Sequence, residues 1–376
     1  MNVLKKITRE IRLRLSSICL LPVGLVYIMF FHVACGNHPD MIIGIKIYEN
    51  KEDPNALFSK WKEIGINTAF ISKELTLDNN FRNSLVKANI PFYIIWPVFQ
   101  NPAALKNDSS LFAITDQGLK AKDDWVEFVC PSRSAYRNLQ TDSIIWYVKN
   151  FNPDGISLDF IRQFVFWEMV YPDRDPTTLH NTCYCDSCLE NFTEQYTCRF
   201  PDSLKTIQQK SLFVKKHYQQ EWNRFRSEQI TSFVRDISAN LKRINPDIKI
   251  NVHIVPWRDS DFNGAIINIA GQDIQSLAKY VDYVSPMCYS QMVKHNAAWI
   301  SSVVKDMDHK APGKVIPSIQ VYPYYINYPF PIDSLEKCIS ASLKMPSNGV
   351  IFWSWPLLIK DQKREDMVSK YLKKGI

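Results

Sequence analysis

Eight short apolar runs along this chain have the character of β-strands, and stretches with helical periodicity separate them. Within a run, β-branched and aromatic residues dominate, whereas between runs apolar residues recur every three or four positions, as at Leu57, Trp61 and Ile64. This regular alternation predicts an α/β fold built on a parallel sheet. The strand runs cover residues 42–48, 68–71, 91–96, 155–160, 248–255, 283–289, 315–321 and 349–353.

Eight strand–helix units in one chain fit a single (β/α)₈ TIM barrel with enlarged loops after strands 3 and 4. A doubly wound open sheet is the alternative, but no glycine-rich phosphate-binding loop follows the first strand. Asn245 and Pro246 end the long helix after strand 4, and Asp333 is a candidate N-cap before Leu335. We therefore expect one α/β domain over residues 41–376.

A basic and then apolar leader precedes this domain. Five Lys and Arg residues against the single Glu10 give residues 1–34 a charge of +4, which leaves +3 of the total +7 for the remainder. An apolar run over residues 18–34 follows the basic stretch, which is the pattern of a secretory signal peptide. Because most of the basicity belongs to the leader, the charge does not indicate a nucleic-acid partner.

The leader ends in a motif that resembles a bacterial lipobox, with Ala34 before the acceptor Cys35. His32 departs from the leucine that usually stands three places before the cysteine. Two alternatives stay open: an uncleaved anchor helix, since about 17 apolar residues barely span a bilayer, and a soluble secreted protein. Each alternative predicts a domain outside the cytoplasm. The lipobox predicts a signal peptide over residues 1–35, a tether over 36–40 and a lipid anchor in the bacterial cell envelope, on the periplasmic or cell-surface side.

The fourth predicted strand ends on a carboxylate. Ser157 and Asp159 share one face of this strand, and Ile156 and Leu158 share the other. Barrel enzymes keep their chemistry at the carboxyl ends of the strands, so Asp159 is the first catalytic candidate. Arg162 follows closely and would hold Asp159 ionised or bind a hydroxyl or carboxylate of a substrate. The alternative is a purely structural ion pair between the two.

The other strands also end in polar and aromatic residues, which a barrel would gather at one mouth. Such a mixture is typical of a carbohydrate site, because aromatic faces stack on sugar rings while carboxylates and amides hold hydroxyl groups. The binding candidates are Tyr48 and Glu49 from strand 1, Trp96 from strand 3, Asn251, His253, Trp257 and Asp259 from strand 5, Tyr289 from strand 6, Gln320 from strand 7 and Trp353 from strand 8.

Several of these residues also have a plain structural interpretation. His253 fits a hydrogen-bonded residue of the barrel lining, Tyr289 a cap on the core, and Trp353 ordinary packing. The aromatic run 322–328 is either a small core within its loop or a platform for sugars. The joint placement of these side chains, rather than any one of them, favours a binding site.

A cluster of cysteines follows strand 4. Cys183, Cys185 and Cys188 form a C-x-C-x₂-C pattern, and thiolates at this spacing bind zinc when a fourth ligand arrives from elsewhere. Cys130 and Cys198 are the candidates for that ligand. Disulfides are the alternative, either between Cys185 and Cys188 or through Cys198, because the expected compartment is oxidising. Zinc or disulfides would each hold the enlarged loops together. No organic cofactor is indicated by the sequence.

Four stretches of the chain carry a family resemblance: residues 130–137, 154–162, 281–289 and 349–353. Their order and strand positions resemble the glycosyl-hydrolase-like barrels of bacterial lipoproteins, over residues 41–360. The resemblance implies a TIM barrel that acts on carbohydrate.

Strand 4 is also similar to the Asp-Gly-x-Asp-x-Asp-x-Glu signature of family 18 chitinases. Met287, Tyr289 and Trp353 match the sixth and eighth strands of that family. However, Ser157 stands where the family has an aspartate, and Ile161 stands where it has its acid glutamate. Chitinase-type catalysis is therefore not expected.

The cysteines are similar to those of family 42 β-galactosidases, in which a Cys-Pro segment followed by Cys-x-Cys-x₂-Cys binds a structural zinc. Matched position by position, this resemblance implies Cys130, Cys183, Cys185 and Cys188 as the zinc ligands and leaves Cys198 outside. The Asn-Glu acid of that family's fourth strand has no counterpart here.

Glycoside hydrolysis needs two carboxylic groups, one protonated and one ionised. Asp159 is the candidate for the ionised group, as nucleophile or as stabiliser of a positively charged centre. Glu168 ranks first as its partner because apolar neighbours would raise its pKa, and Asp259 and Glu49 follow. The sequence predicts a cell-envelope glycoside hydrolase. A barrel that binds glycans without cleaving them is the alternative, with a scaffold role in the envelope third.

Overall fold

The computed structural model describes residues 41–374, and eight parallel strands form its central sheet. The leader, the tether and Cys35 lie outside the described residues. Each strand overlaps one of the predicted runs and differs from it only at its ends. The strands are β1 Ile42–Ile47, β2 Thr68–Ser72, β3 Phe92–Pro97, β4 Gly155–Asp159, β5 Lys249–Ile254, β6 Tyr283–Pro286, β7 Ser318–Gln320 and β8 Gly349–Trp353.

The sheet closes into a barrel. Its strand order is β6-β5-β4-β3-β2-β1-β8-β7, with parallel pairing between neighbours. Parallel bridges from Val284 to Val315 and from Met287 to Ser318 join β6 to β7, the two strands at the ends of this order. The prediction of a (β/α)₈ TIM barrel is therefore confirmed, and the doubly wound alternative is excluded.

Helices cover the outside of the barrel. Asp53 caps the first helix through Ala56 N–H at 3.0 Å, and Gly65 ends it with a positive φ that favours glycine. The long helix ends at Ile244 before Asn245, as predicted, whereas Asp333 lies inside the first turn of its helix and is not the N-cap. The helices are α1 Pro54–Ile64, α2 Lys73–Thr76, α3 Asn79–Lys87, α4 Pro102–Asn107, α5 Ser134–Phe151, α6 Asp186–Tyr196, α7 Ile207–His217, α8 Gln219–Ile244, α9 Ala265–Asn268, α10 Ile274–Leu277, α11 Ala297–Lys310, α12 Ile332–Ser342, α13 Trp355–Leu358 and α14 Gln362–Lys373, with 3₁₀ turns at Ser109–Leu111, Trp167–Met169, Pro176–Thr178 and Asp261–Asn263.

Aromatic rings fill one end of the barrel interior. Phe70 and Tyr93 stack with their centroids 4.9 Å apart and pack with Ile95 and other apolar residues in a small inner cluster. Glycines make room for the rings, because a Cβ on Gly44 would lie 2.6 Å from Phe70 and one on Gly155 would lie 2.3 Å from Tyr93. The barrel is thus a packed core and not a pore.

Hydrogen-bonded polar side chains fill the middle of the barrel. Ser157 Oγ accepts from Asn251 Nδ2 at 2.9 Å and contacts His253 Nε2 at 2.9 Å, and Ser285 Oγ donates to Asn251 Oδ1 at 2.8 Å. All four residues are buried. These hydrogen bonds fix the side-chain positions and form a polar floor beneath the strand ends, and His253 Nδ1 is the atom of this network that is buried without a partner in the described chain.

Two long connections lie at the carboxyl ends of β3 and β4, over residues 98–133 and 160–218. The first contains a two-stranded antiparallel ribbon, Lys122–Asp123 with Val126–Glu127. Cys130 of the first connection meets the cysteines of the second, so the two connections pack together. Across residues 41–374, no helix is long and apolar enough to cross a membrane.

Candidate active site

A cavity of about 670 Å³ opens at the carboxyl ends of the barrel strands. Asp159 and Trp353 are the last residues of β4 and β8, and Tyr48 and Glu49 follow β1, so the strand ends deliver them to one mouth. The lining residues are Lys46, Tyr48, Glu49, Ser72, Glu74, Ile95, Pro97, Gln100, Trp125, Asp159, Phe160, Glu168, Met287, Tyr289, Met292, Tyr324, Tyr325, Trp353, Ser354, Pro356, Leu357 and Lys360.

Asp159 is buried at the deep end of this cavity, and its Oδ1 accepts the Phe160 N–H at 2.8 Å. Burial alone would raise the pKa of Asp159. The imidazole of His253, the ammonium of Lys46, the Phe160 N–H and the guanidinium of Arg162 together outweigh burial and hold this pKa below its usual value. Asp159 is therefore ionised at neutral pH.

Glu168 lines the same cavity from the connection after β4, within the 3₁₀ turn Trp167–Met169. Burial raises the pKa of Glu168 to about 7, although the positive charge of Arg162 acts in the opposite direction. Within the described chain, the Oε2 atom of Glu168 is buried without a hydrogen-bond partner. Glu168 is thus a carboxylic acid that holds its proton close to neutral pH.

The backbone around Glu168 is fixed by the long helix α8 and by the connection itself. Gln163 Nε2 donates to Gln229 Oε1 of α8 at 2.9 Å, and the Phe164 N–H donates to Thr182 Oγ1 at 3.2 Å. Trp167 is fully buried, with its ring centroid 5.7 Å from that of Tyr289. A carboxyl group held by packed neighbours keeps a defined position relative to a bound substrate.

Arg162 is buried behind the cavity wall and does not line it. Its Nη2 donates to the Val165 carbonyl at 3.0 Å, and its guanidinium lies 4.9 Å from the ring centroid of Phe128 and 5.0 Å from that of Phe160. Its positive charge lowers the pKa of both Asp159 and Glu168. Arg162 therefore acts on these carboxyl groups through its charge, and it does not form the structural ion pair with Asp159, at N···O within 4.0 Å, that the sequence left open.

Lys46 is a site residue that the sequence reasoning missed. It is buried on β1, lines the cavity and donates from Nζ to the Tyr289 hydroxyl at 3.3 Å. Burial lowers the pKa of Lys46 to about 8, and Asp159 counteracts this effect. The signal was present in the strand: Lys46 alternates with Gly44 and Tyr48 on the inward face of an otherwise apolar run.

His253 belongs to the polar floor and does not line the cavity. Burial, with Lys46 as a further cause, lowers the pKa of His253 to about 3. The imidazole is therefore neutral at neutral pH, and the cations that act on Asp159 under those conditions are Lys46 and Arg162. This position agrees with the structural interpretation of His253, as a hydrogen-bonded residue that lines the barrel interior.

An aromatic wall forms another side of the cavity. Tyr289 and Trp353 stack with their centroids 4.6 Å apart at an interplanar angle of 18°, and the Tyr324 ring meets Trp353 edge-on at 5.1 Å. The Tyr289 hydroxyl also contacts Ser318 Oγ at 3.3 Å. Across the mouth, Trp125 of the ribbon donates from Nε1 to the Tyr325 hydroxyl. Flat aromatic faces with polar edges suit the two faces of a sugar ring.

Three further binding candidates lie outside the cavity, as Arg162, Asn251 and His253 do. Trp96 points to the helices, where its Nε1 donates to Gln140 Oε1 at 2.8 Å. Gln320 donates to Gln291 Oε1 at 2.8 Å and holds a loop near the mouth. Trp257 is buried with its ring centroid 5.3 Å from that of Phe262. These three side chains contact other parts of the protein and do not line the cavity.

Asp259 lies outside the cavity that contains Asp159 and Glu168. Its side chain is 60% exposed and pairs with Lys310 Nζ at 2.6 Å. The connection after β5 leads it away from the mouth, so the structure does not support the candidacy of Asp259 as a catalytic group. Glu49, the lowest-ranked candidate, lines the cavity near its exposed rim.

Four cysteines form a buried cluster between the two long connections, and they are the four that the family 42 resemblance implied. The Sγ atoms of Cys130, Cys183, Cys185 and Cys188 all lie within 4.8 Å of one another, with Cys130 to Cys185 at 3.5 Å and Cys130 to Cys188 at 3.4 Å. Thiolates around a tetrahedral zinc at about 2.3 Å lie roughly 3.8 Å apart. The cluster therefore has the dimensions of a structural zinc site with four protein ligands.

Backbone and side-chain donors complete this cluster. The Ile114 N–H donates to Cys183 Sγ at 3.3 Å, and Gln229 Nε2 lies 3.8 Å from Cys188 Sγ. Such hydrogen bonds stabilise metal-bound thiolates. Within residues 41–374, no disulfide joins any cysteines, and Cys198 is buried outside the cluster.

Comparison with known proteins agrees with this geometry. Residues 195–353, from α6 to the end of β8, match a protein family described as "Putative glycosyl hydrolase domain". The matched residues make up less than half of the chain. No curated protein matches the sequence.

Solved structures show the same barrel. The barrel superposes on the PgaB (BpsB) glycoside hydrolase domain from Bordetella bronchiseptica with a TM-score of 0.66 at 10% identity, over 87% of this chain and 98% of that chain. For a β-galactosidase from the psychrophilic Marinomonas ef1, the TM-score is 0.65 at 10% identity, over 89% of this chain and 59% of that enzyme. For a family 42 β-galactosidase from G. stearothermophilus, the TM-score is 0.60 at 12% identity, over 89% and 57%.

These likenesses confirm the resemblance that the sequence motifs predicted, to glycosyl-hydrolase-like barrels with distant similarity to family 42. At such low identity they establish the fold of the barrel. The chain spans little more than half of either β-galactosidase, and nearly the whole of the PgaB domain.

Proposed function

We propose that this protein is a glycoside hydrolase in which Glu168 is the general acid and Asp159 is the ionised partner. The observation that carries the proposal is that two carboxyl groups in one cavity have pKa values moved in opposite directions, below the usual value for Asp159 and to about 7 for Glu168. Carboxyl pairs with separated pKa values are the acid and base of glycosidases.

In the proposed reaction, Glu168 donates its proton to the glycosidic oxygen as the bond from that oxygen to the anomeric carbon breaks. Asp159 stabilises the positive charge that develops on the sugar ring, or attacks the anomeric carbon directly. On the covalent route, water then displaces Asp159 from the anomeric carbon, supplies the new hydroxyl group and gives its proton to the ionised Glu168. In direct attack, water reaches the anomeric carbon from the opposite face and gives its proton to Asp159. The anomeric configuration of the first product, observed by NMR, distinguishes direct attack by water from a covalent step on Asp159.

The remaining lining residues support a sugar as the substrate. The stacked Tyr289 and Trp353 rings, with Tyr324 edge-on, provide flat surfaces for a sugar ring. The printed descriptions of the structural relatives, a glycoside hydrolase domain and β-galactosidases, support the same class of reaction. A first substrate panel therefore contains nitrophenyl β-galactosides, other nitrophenyl glycosides, and bacterial and plant polysaccharides.

The test compares wild type with Asp159→Asn on this panel. The proposal expects hydrolysis of at least one glycoside by wild type and a loss of about 1,000-fold in Asp159→Asn. Equal rates for the two proteins would overturn the assignment of Asp159. Saturable glycan binding without any hydrolysis would instead indicate a barrel that binds glycans without cleaving them.

We further propose a location in the bacterial cell envelope and a structural zinc ion. The basic and apolar leader and the lipobox-like Cys35 support a lipid anchor on the periplasmic or cell-surface side. The geometry of the four buried thiols supports zinc, which would hold the two long connections together beside the catalytic mouth. Incorporation of labelled palmitate by the full chain, compared with Cys35→Ser, tests the anchor; equal labelling would contradict it.

A further inference from the structure

Lys46 is a buried amine whose hydrogen-bonding capacity is largely unused. An ammonium group has three N–H donors, whereas within residues 41–374 Nζ of Lys46 has one acceptor, the Tyr289 hydroxyl, at the long distance of 3.3 Å. The side chain is 1% exposed and faces the cavity from β1. A buried charge normally has close partners, because an unpaired one is costly. Within the described residues, Lys46 therefore has N–H donors left over for a bound ligand.

Asp159 is the acidic group whose charge raises the pKa of Lys46, yet the two do not form an ion pair. Their charges influence each other's pKa, and both groups line the deep end of the cavity. Among the ion pairs with N···O within 4.0 Å in residues 41–374, none includes Lys46. One oxygen of Asp159 is already engaged by the Phe160 N–H. A donor and an acceptor thus face one space without contacting each other.

The chemistry of the two groups limits what fits between them. Lys46 can only donate, and an ionised Asp159 can only accept. An anionic substituent would satisfy Lys46 and be repelled by Asp159, whereas a cationic one would have the opposite preference. A hydroxyl group both accepts and donates, and so satisfies both at once. We propose that Lys46 and Asp159 together hold one hydroxyl group of the sugar ring that is cleaved, and that Lys46 selects neutral glycosides that carry this hydroxyl.

The surroundings of Lys46 support a positioning role of this kind. The Tyr289 hydroxyl that accepts from Nζ is itself held by Ser318 Oγ of β7, and the Tyr289 ring stacks on Trp353. The same aromatic wall that would carry a sugar ring therefore orients the ammonium toward it. The amine remains mostly protonated at neutral pH, since its pKa is lowered only to about 8. This inference rests on the proposed hydrolase function, and it names a substrate contact of the same site.

The test measures how Lys46 responds to single hydroxyl groups of the substrate. Wild type and Lys46→Met are compared on the nitrophenyl glycoside that wild type hydrolyses fastest and on all monodeoxy analogues of that glycoside. In wild type, removal of one particular hydroxyl is expected to lower kcat/KM by about 10- to 100-fold, the effect of a hydrogen bond to a charged group. In Lys46→Met, the loss for that analogue is expected to be clearly smaller, because only Asp159 still contacts the hydroxyl group. If both proteins show the same loss for every analogue, the inference is wrong.

Two further measurements keep this test independent of folding and of turnover. Circular dichroism and Tm confirm that Lys46→Met is folded, and Lys46→Gln replaces it if it is not. Binding of the matching methyl glycosides is followed by tryptophan fluorescence, because Trp125 and Trp353 line the cavity. Binding that depends on Lys46 without hydrolysis would overturn only the proposed function. Binding that is absent, or equal in wild type and in the variant, would overturn the role of Lys46.

Discussion

Asp159 and Glu168 line one cavity at the mouth of the barrel, and their surroundings move their pKa values in opposite directions. Lys46 and Arg162 keep Asp159 ionised despite its burial, whereas burial keeps Glu168 protonated up to about pH 7. Asp159 is the last residue of β4, and Glu168 lies in a short 3₁₀ turn of the long connection that follows. The barrel thus supplies one charged and one neutral carboxyl group at the place where strand ends meet.

The pH dependence of kcat/KM should follow from this pair. Glu168 must hold its proton to act as an acid, so activity should fall as the pH rises through about 7. Asp159 must be ionised, so activity should fall only at a pH low enough to reach its lowered pKa. In Glu168→Gln, the fall near pH 7 should disappear, and the remaining rate should be about 100- to 10,000-fold lower. A fall near pH 7 that persists in Glu168→Gln would assign that titration to another group.

Replacement of Lys46 should move the acidic side of the same profile. The ammonium helps to hold the pKa of Asp159 down, so Lys46→Met should raise that pKa and shift the acidic fall in kcat/KM to higher pH. The alkaline fall from Glu168 should change less, because Arg162 is the main cation that acts on it. An acidic fall at the same pH in both proteins would show that Lys46 does not act on Asp159.

Asp259 provides a matched control for Asp159. Asp159→Asn should lower kcat/KM by about 1,000-fold, because it removes the buried charge that stabilises the reacting sugar. Asp259→Asn should keep the wild-type rate, since that side chain is exposed and paired with Lys310 outside the cavity. Steady-state kinetics on one nitrophenyl glycoside checks both, and a comparable loss in Asp259→Asn would contradict the placement of the site.

The cysteine cluster predicts a metal content that depends on particular thiols. Cys185→Ser should lose zinc, measured by mass spectrometry of the purified protein, and its Tm should fall by roughly 5 °C or more. Cys198→Ser is the control, because Cys198 is also buried but lies outside the cluster. It should retain one zinc per chain. A wild-type protein that contains no metal would contradict the zinc site.

The aromatic wall predicts an effect on substrate binding. Trp353→Ala removes the ring that stacks on Tyr289 at 4.6 Å and should raise KM by about 10-fold. Trp146→Ala is the control, because Trp146 is half-exposed on α5 and lies outside the cavity. Its KM should not change. Equal KM values in all three proteins would show that Trp353 does not contact the sugar.

The period-2 pattern of the strands determined how much of the site could be predicted. It predicted the eight barrel strands and placed Asp159 at a strand end, because these features depend only on local sequence. The same pattern also contained Lys46, on the inward face of β1 between Gly44 and Tyr48. The prediction that Trp96 lines the site was wrong. Ile95 and Pro97 line the cavity, and because side chains alternate along a strand, Trp96 between them faces the helices.

The course of the long connections could not be predicted from the sequence. Asp259 and Glu168 are both acidic residues that follow a strand, yet one turns toward Lys310 and the other is packed into the cavity wall. That difference depends on contacts with distant elements, such as Gln163 with Gln229. The contact of Trp125 with Tyr325 across the mouth is likewise a meeting of two loops that lie far apart in the chain.

The central claim is tested most directly by how much rate Glu168→Gln loses on substrates with a good and with a poor leaving group. A general acid is needed for a poor leaving group and is largely dispensable for dinitrophenolate, which leaves without a proton. Rates of wild type and Glu168→Gln are compared on a dinitrophenyl glycoside and on the matching disaccharide. The account predicts a small loss on the dinitrophenyl glycoside and a loss of about 100-fold or more on the disaccharide. Equal losses on the two substrates would contradict the role of Glu168 as the acid.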